Sequence, residues 1–208
     1  MRVVRALGPQ AQDALREAVE VLERGGIVAY PTETFYGLGA KYDEAQAVER
    51  LHALKRRPAQ KAIPLVVGER SALRAVARDI NQAAQRLMER YWPGPLTLLL
   101  PAREGLSPHL SSNGKVAVRV PGPSFALDLA RAAGFPITAT SANPSGMPPA
   151  TRASQVEEYF AGGIDLLVDG GETPGGEPST VADASGGRLT VVRRGRVRIG
   201  EEDGGQAA

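Results

Sequence analysis

Basic side chains are concentrated at two places where they could neutralise the phosphates of a nucleotide. Lys55, Arg57 and Lys61 fall within seven positions at the end of a predicted helix. Lys115 and Arg119 lie four positions apart on an apolar segment, so both would face the same side of a strand. Cations at a helix C-terminus are stabilised by the macrodipole, so the first cluster also fits a solvated helix end. Lys55 and Arg57, however, could aim together at a polyphosphate.

Small polar residues follow or open several apolar segments, where they could hydrogen-bond a polar ligand. In open α/β sheets, ligands bind just beyond strand ends. Any one of these groups on its own would fit a turn or a cap. Four of them in a small domain favour a polar cleft. The four groups lie at 32–34, 140–145, 169–171 and 178–180.

The elements that would position these groups alternate between helical and extended patterns. We expect helices at 11–24, 43–57, 71–77, 82–92, 124–133 and 153–160. Strand-like runs lie at 27–30, 63–67, 96–100, 116–120, 137–139, 166–168, 180–182 and 189–192. Asp43 followed by Gln46 predicts an N-cap with a capping box for the second helix. This alternation indicates an α/β domain with one mixed sheet.

Composition narrows the class of protein. The 208 residues suit one domain, and 42% hydrophobic and 23% charged residues are ordinary for a globular chain. The absence of cysteine excludes disulfides, thiolate nucleophiles and cysteine zinc sites, and His52 and His109 alone make a histidine metal centre improbable. No apolar run approaches a membrane span, so we expect a cytoplasmic protein. We expect one domain at 1–200 and a disordered tail at 201–208.

Neither a P-loop nor a dinucleotide-binding glycine motif occurs, so bound phosphates would be held mainly by side chains. The net charge of +2 does not by itself predict nucleic-acid binding. No residue is compelling as a general base. His52 and His109 suit a helix surface and a loop, and nothing in the pattern shows that Glu33 faces a cavity. We assign neither a proton-transfer residue nor a metal ligand.

Six ordered motifs resemble the YrdC-like threonylcarbamoyl-AMP synthases over about residues 10–200. They are Gly26–Leu38, Lys55-x-Arg57-Pro58, Trp92–Thr97, Val118–Pro121, Ser141-Ala142-Asn143-x-Ser145-Gly146 and Ser179–Val181. The resemblance implies a twisted α/β sheet enclosing a concave, basic cavity. It implies that L-threonine, bicarbonate and ATP, with Mg²⁺, give threonylcarbamoyl-AMP and pyrophosphate. The product would pass to a threonylcarbamoyl-transferase complex that modifies adenosine 37 of tRNA.

The resemblance also suggests roles for individual residues. Three would contact threonine, namely Thr32, Arg119 and Ser179. ATP would be contacted by Lys55, Arg57, Lys61, Lys115, Ser141, Asn143 and Arg193, with Lys55 and Arg57 also catalytic. We expect Lys55 and Arg57 to lie in a helix-terminal loop outside the core. The sequence departs from the family pattern at Lys61, Lys115 and Pro149. Some family members have a nucleotide-contacting serine at the position of Pro149, so that one contact is in doubt here. Longer relatives carry a second domain, which we expect this chain to lack.

Two other functions fit parts of the sequence. A carbamoyl-transferring relative of the hydrogenase-maturation type has a similar domain, although such chains add further domains and cysteine zinc motifs. An RNA-binding module is the other alternative, because a basic concave surface can hold double-stranded RNA through its phosphates. The arginines for that role are Arg188, Arg193, Arg194, Arg196 and Arg198. We expect RNA binding to be weak if it occurs.

Overall fold

The computed structural model describes residues 1–56, 61–186 and 188–200. Arg57 and the expected tail at 201–208 lie outside the described residues. The α-helices in the described part are α1 (Ala11–Glu23), α2 (Ala45–Leu54), α3 (Gln82–Tyr91), α4 (Phe125–Ala133) and α5 (Ala153–Phe160). Short 3₁₀ helices lie at Gly8–Gln10 and Arg70–Ala75. Five of the six predicted helices are α-helical, and the predicted helix at 71–77 coincides largely with the second 3₁₀ helix.

The strands form two mixed sheets, whereas the sequence predicted one. The first sheet has the order β1-β10-β2-β3-β9, and the second has the order β12-β11-β5-β7-β4-β8, with β6 paired to β7. In chain order the strands are β1 (Arg2–Arg5), β2 (Val28–Pro31), β3 (Tyr36–Gly39), β4 (Leu65–Val66), β5 (Leu96–Pro101), β6 (Ser111–Ser112), β7 (Lys115–Arg119), β8 (Ile137–Thr138), β9 (Thr140–Ser141), β10 (Leu166–Asp169), β11 (Thr180–Asp183) and β12 (Thr190–Arg193).

Strand β2, inside the first sheet, is buried on both faces. Its side chains alternate between two apolar clusters, because successive residues of a strand point to opposite faces. Ala29 packs into the larger core, whereas Val28 and Tyr30 pack into a second cluster that includes residues of α1 and α4. A continuous apolar run is typical of a strand with both faces covered. The turn that follows β2 is therefore held by a rigid strand.

Helix α2 begins differently from the prediction. Its N-cap is Glu44, which makes no side-chain cap hydrogen bond, so the predicted capping box at Asp43 and Gln46 is wrong. The Asp43 carboxylate instead lies 3.3 Å from the Lys41 ammonium group. Helix α1 ends at a left-handed glycine, as is typical of helix C-termini, since Gly25 has a φ of +74°.

In the described part of the chain, no helix is both long enough and apolar enough to cross a membrane.

Candidate active site

A cavity of about 570 Å³ lies between the two sheets, with walls contributed by both. Pockets that hold small ligands are usually of this size, roughly 300–1,000 Å³. The polar and charged side chains in its wall include Thr32, Thr34, Tyr36, Thr97, Arg119, Thr140, Ser141, Ser179 and Arg193. Among the described residues, the wall contains no carboxylate side chain. The cavity therefore combines hydroxyl groups with positive charge, which suits an anionic, polyhydroxylated ligand.

Arg119 and Arg193 supply the charge of the cavity wall. Partial burial, followed by the nearby charge of Arg119, lowers the pKa of Arg193. The Arg193 guanidinium is fixed by Ser179, donating to its carbonyl oxygen at 2.8 Å and to its hydroxyl oxygen at 3.1 Å. An anion placed between two guanidinium groups reduces the electrostatic repulsion between them. This wall of the cavity is thus arranged to receive a carboxylate or a phosphate.

Thr32 shapes the turn between β2 and β3. Its hydroxyl oxygen accepts hydrogen bonds from the backbone N–H groups of Thr34 at 3.1 Å and Phe35 at 3.3 Å. The same hydroxyl donates its proton to the Phe35 carbonyl at 2.7 Å. A hydroxyl has one proton to donate, so in this conformation Thr32 has none left for a ligand. Thr32 lies in the cavity wall, and its contact with threonine stays a prediction.

Lys55 is buried, with only 2% of its surface exposed, so the expectation that it lies outside the core is wrong. Its ammonium group donates to the Ser141 carbonyl and lies 3.4 Å from the Asn143 side-chain oxygen. The Lys55 carbonyl in turn accepts from the backbone N–H of Ser145 at 3.0 Å and from its hydroxyl at 2.9 Å. Lys55 therefore ties the end of α2 to segment 141–145. Of this group, Ser141 lies in the cavity wall.

The remaining predicted residues are not all brought together. Lys115 shares a face of β7 with Arg119, as predicted, but its ammonium group pairs with Asp183 at 2.6 Å. Lys61 is exposed and does not belong to the cavity wall formed by the described residues. Pro149 does line the cavity. The ATP contacts assigned to Lys61 and Lys115 stay predictions.

Sequence reasoning missed several wall residues, of which Thr97 and Tyr36 are the clearest. The Thr97 hydroxyl lies 3.0 Å from that of Ser179, and the signal for it was a lone hydroxyl within the apolar run of β5. The Tyr36 hydroxyl donates to the Gly171 carbonyl at 2.7 Å. Burial raises the pKa of Tyr36 to about 12, so its phenol stays protonated at neutral pH and supports the wall as a hydrogen-bonding group.

The sequence pattern does not show which way the Glu33 side chain faces. In the structure, its carboxylate pairs with the Arg119 guanidinium at 2.6 Å, and the two side chains are only 12% and 13% exposed. The second carboxylate oxygen, Oε2, is buried and has no hydrogen-bond partner among the described residues. The signal available in the sequence was its position next to Thr32.

The structure offers little for a metal site made by protein side chains alone. Within residues 1–56, 61–186 and 188–200, no group of three or more His, Cys, Asp or Glu side chains could hold a metal ion. The rings of His52 and His109 pack against each other at a tilt of 32°, with centroids 4.3 Å apart. Neither belongs to the part of the cavity wall that the structure describes.

Comparison with known proteins places this architecture in a family. The family comprising Sua5, YciO and YrdC, described as "Telomere recombination", matches residues 20–195. The chain belongs to the Sua5/YciO/YrdC family. A threonylcarbamoyl-AMP synthase of Pyrococcus abyssi is 40% identical over 189 residues, which are 90% of this chain and 55% of that protein. One of Cellvibrio japonicus is 34% identical and is matched over 83% of this chain and 92% of its own length.

Solved structures of the family share the fold. The crystal structure of Pyrococcus abyssi Sua5 complexed with L-threonine has a TM-score of 0.88 and 37% identity, covering 94% of this chain and 58% of that one. Escherichia coli YciO has a TM-score of 0.82 and 28% identity, covering 93% and 94%. HypF in its phosphate- and nucleotide-bound form, at 19% identity and a TM-score of 0.76, shares the fold alone. The chain thus spans just over half of the Pyrococcus protein.

Proposed function

We propose that this chain is a threonylcarbamoyl-AMP synthase. The amine of L-threonine forms a carbamate with bicarbonate, releasing water. A carbamate oxygen then bonds to the α-phosphorus of ATP as the bond to the pyrophosphate oxygen breaks. The products are threonylcarbamoyl-AMP, pyrophosphate and water. In enzyme class, this makes the chain a nucleotidyltransferase.

One observation carries the proposal. The described charged side chains of the cavity wall are two neighbouring arginines, Arg119 and Arg193, and hydroxyl groups surround them. Both the threonine carboxylate and the ATP phosphates need positive charge in a site partly screened from water. Relatives named threonylcarbamoyl-AMP synthases support the assignment. Nothing comparable favours the hydrogenase-maturation alternative, since the likeness to HypF extends to the fold alone.

In this proposal, threonine lies against the β7 side of the cavity. The planar guanidinium of Arg119 suits a carboxylate because it offers paired N–H donors. Ser179 lies on the segment leading into β11, in the same sheet as β7, and shares a hydrogen bond with Thr97. That pair can rearrange to donate to, or accept from, the threonine hydroxyl. The L-threonine complex of the Pyrococcus relative supports an amino-acid site in this fold.

ATP lies between Arg193, which belongs to the same sheet as Arg119, and Ser141, which belongs to the other sheet. Phosphoryl and nucleotidyl transfers are catalysed mainly by positioning and by neutralising charge on the phosphate oxygens. Arg193 supplies such charge, and its hydrogen bonds to Ser179 keep it oriented. Lys55 and Asn143 support the Ser141 segment from behind. Direct phosphate contacts by Arg57, Lys61 and Lys115 are further parts of the proposal.

Mg²⁺ is proposed to enter with ATP. The described residues offer no cluster of three protein ligands, and this donor set suits an ion that takes most of its ligands from phosphates and water. When bound, the ion would neutralise charge on the pyrophosphate leaving group. The residues named above bind and orient the substrates.

The product is a mixed anhydride of a carbamate and a phosphate, which is reactive and carries a good leaving group. We propose that it passes to a transferase complex that moves the threonylcarbamoyl group to adenosine 37 of tRNA. An enzyme that releases a hydrolysable intermediate gains from a partner that consumes it quickly.

Mass spectrometry tests the proposed function directly. The purified chain is incubated with L-threonine, bicarbonate, Mg²⁺ and ATP, and the reaction is searched for threonylcarbamoyl-AMP and pyrophosphate. We expect both products, and we expect neither when threonine or bicarbonate is omitted. The Arg119→Ala variant should form little product. The matched control is Arg152→Ala, which removes an exposed arginine paired with Glu172 and should behave as the wild type. A folded wild-type chain that bound ATP and threonine yet made no product would contradict the proposal.

A strip of exposed arginines supports weak RNA binding as a second function. Strand β12 lies at the edge of its sheet, and all four of its residues are solvent-exposed. The strip comprises Arg188, Arg194, Arg196 and Arg198. Binding through exposed phosphate contacts should weaken steeply with salt. Replacing Arg194, Arg196 and Arg198 by glutamine should remove RNA retention and leave threonylcarbamoyl-AMP formation intact. Retained RNA binding together with lost product formation would show that the strip serves the reaction and not RNA.

A further inference from the structure

The turn after β2 carries two neighbouring residues with different orientations. Thr32 lies in the cavity wall. Glu33 is not among the described residues that form that wall. Glu33 instead packs beside Gly122, where an added Cβ would lie 3.8 Å from the Glu33 Cγ. From there its carboxylate holds one Nη atom of Arg119 at 2.6 Å. One turn thus supplies a cavity residue and an anchor for a cavity arginine.

We propose that Glu33 is a positioning residue for substrate recognition and acts through Arg119. This inference rests on the proposed function, because it assigns Arg119 to the threonine carboxylate. By holding one nitrogen of the guanidinium fork from behind, Glu33 fixes the plane of the fork and leaves the other N–H groups directed at the cavity. A freely rotating arginine would lose rotamer entropy on binding, and a fixed one has less to lose.

The burial of the pair explains why an acid is needed there. Both side chains are almost nine-tenths buried, and a buried guanidinium without a partner is costly. A carboxylate in the cavity itself would repel the substrate carboxylate and the phosphates. Placing Glu33 behind Arg119 stabilises the cation while leaving no acidic side chain in the described cavity wall.

Two substitutions separate orientation from charge. Glu33→Ala removes the anchor, and we expect the KM for threonine to rise about tenfold or more, as for loss of a charge-assisted hydrogen bond. The KM for ATP should change much less, because Glu33 contacts Arg119 and not Arg193. Glu33→Gln keeps an oxygen that accepts from Arg119, so it should restore most of the threonine affinity.

The experiment measures steady-state kinetics for both substrates and threonine binding by calorimetry, on folded variants checked by thermal unfolding. Asp165→Asn is the matched control: Asp165 accepts from the Ile27 N–H and from Arg50 at the far end of β2, so it should lower the melting temperature with the threonine KM unchanged. An unchanged or lower threonine KM in Glu33→Ala would overturn the proposal, as would equal rises for both substrates. Failure of the wild type to bind threonine would instead overturn the proposed function.

Discussion

Replacing Lys55 by methionine tests whether its ammonium group supports the cavity wall from behind. Methionine has a similar length and keeps the apolar packing of a side chain that is only 2% exposed. The substitution removes donation to the Ser141 carbonyl and the 3.4 Å contact with Asn143. The Ser141 carbonyl keeps one bond, from the Asn143 N–H at 2.9 Å, so the loss falls mainly on the charged bond.

The expected cost follows from those contacts. A hydrogen bond to a charged group contributes roughly 1.5–3 kcal/mol, and relief of a buried charge offsets part of it, so we expect a loss of about 1–3 kcal/mol in the free energy of unfolding. For a domain of this size, each kcal/mol lowers the melting temperature by roughly 2–4 °C. Product formation should also fall, because segment 141–145 is no longer held in place.

Urea unfolding and the mass-spectrometric assay, run on the same preparation, give the two readouts. Lys41→Met is the control, since Lys41 is partly exposed and pairs with Asp43 at 3.3 Å. Surface ion pairs contribute roughly 0–1 kcal/mol, so this variant should be nearly as stable and fully active. If Lys55→Met lost activity while its stability stayed unchanged or rose, the ammonium group would act on the ligand and not on the loop, and the reasoning would be refuted.

Three more results are expected. Arg119→Lys should raise the threonine KM roughly tenfold or more in steady-state kinetics, because an ammonium group cannot make a paired contact with a carboxylate; an unchanged KM would place the carboxylate elsewhere. L-Valine should be used far less than L-threonine in competition assays, since its methyl group leaves hydroxyl-directed partners unpaired at a cost of roughly 1–3 kcal/mol, and equal use would show that the hydroxyl is not read. Burial opposes ionisation of Asp183, but hydrogen bonds from Lys115 and Ser185 outweigh it and lower its pKa. The stabilisation is therefore present above about pH 4 and lost as pH falls through the lower folded-state pKa, and urea unfolding from pH 3 to 7 should show that Asp183→Asn removes this part of the acid dependence.

The long periodic elements could be predicted from the sequence, and the short pairings could not. Helices α1, α3 and α4 follow apolar residues at helical spacing, and β5 and β7 are short segments rich in apolar residues. Strand β3 (Tyr36–Gly39) contains two glycines and follows a turn, so its pattern is that of a loop. It is a strand because β2 and β9 pair with both of its edges. That tertiary context also divides the strands into two sheets.

The candidate site was predicted by residue type more successfully than by orientation. Arg119, Ser141, Ser179 and Arg193 were named from their motifs, and all lie in the cavity wall. Lys55 was expected outside the core because it ends a predicted helix, and its burial depends on carbonyl and amide groups of segment 141–145, far along the chain. Such non-local partners leave no periodic signal in the sequence.

The position of each arginine separates the two kinds of anion that this chain could bind. Arg119 lies in the cavity wall and is only 13% exposed, and charges in such places are screened weakly by salt. The arginines of the strip are exposed, and the Arg198 guanidinium lies 4.0 Å from the Glu177 carboxylate. Their attraction for a polyanion therefore depends on counterion release. ATP binding should therefore persist at salt concentrations that remove RNA. A parallel loss of both with rising salt would mean that ATP, too, is held by the exposed strip.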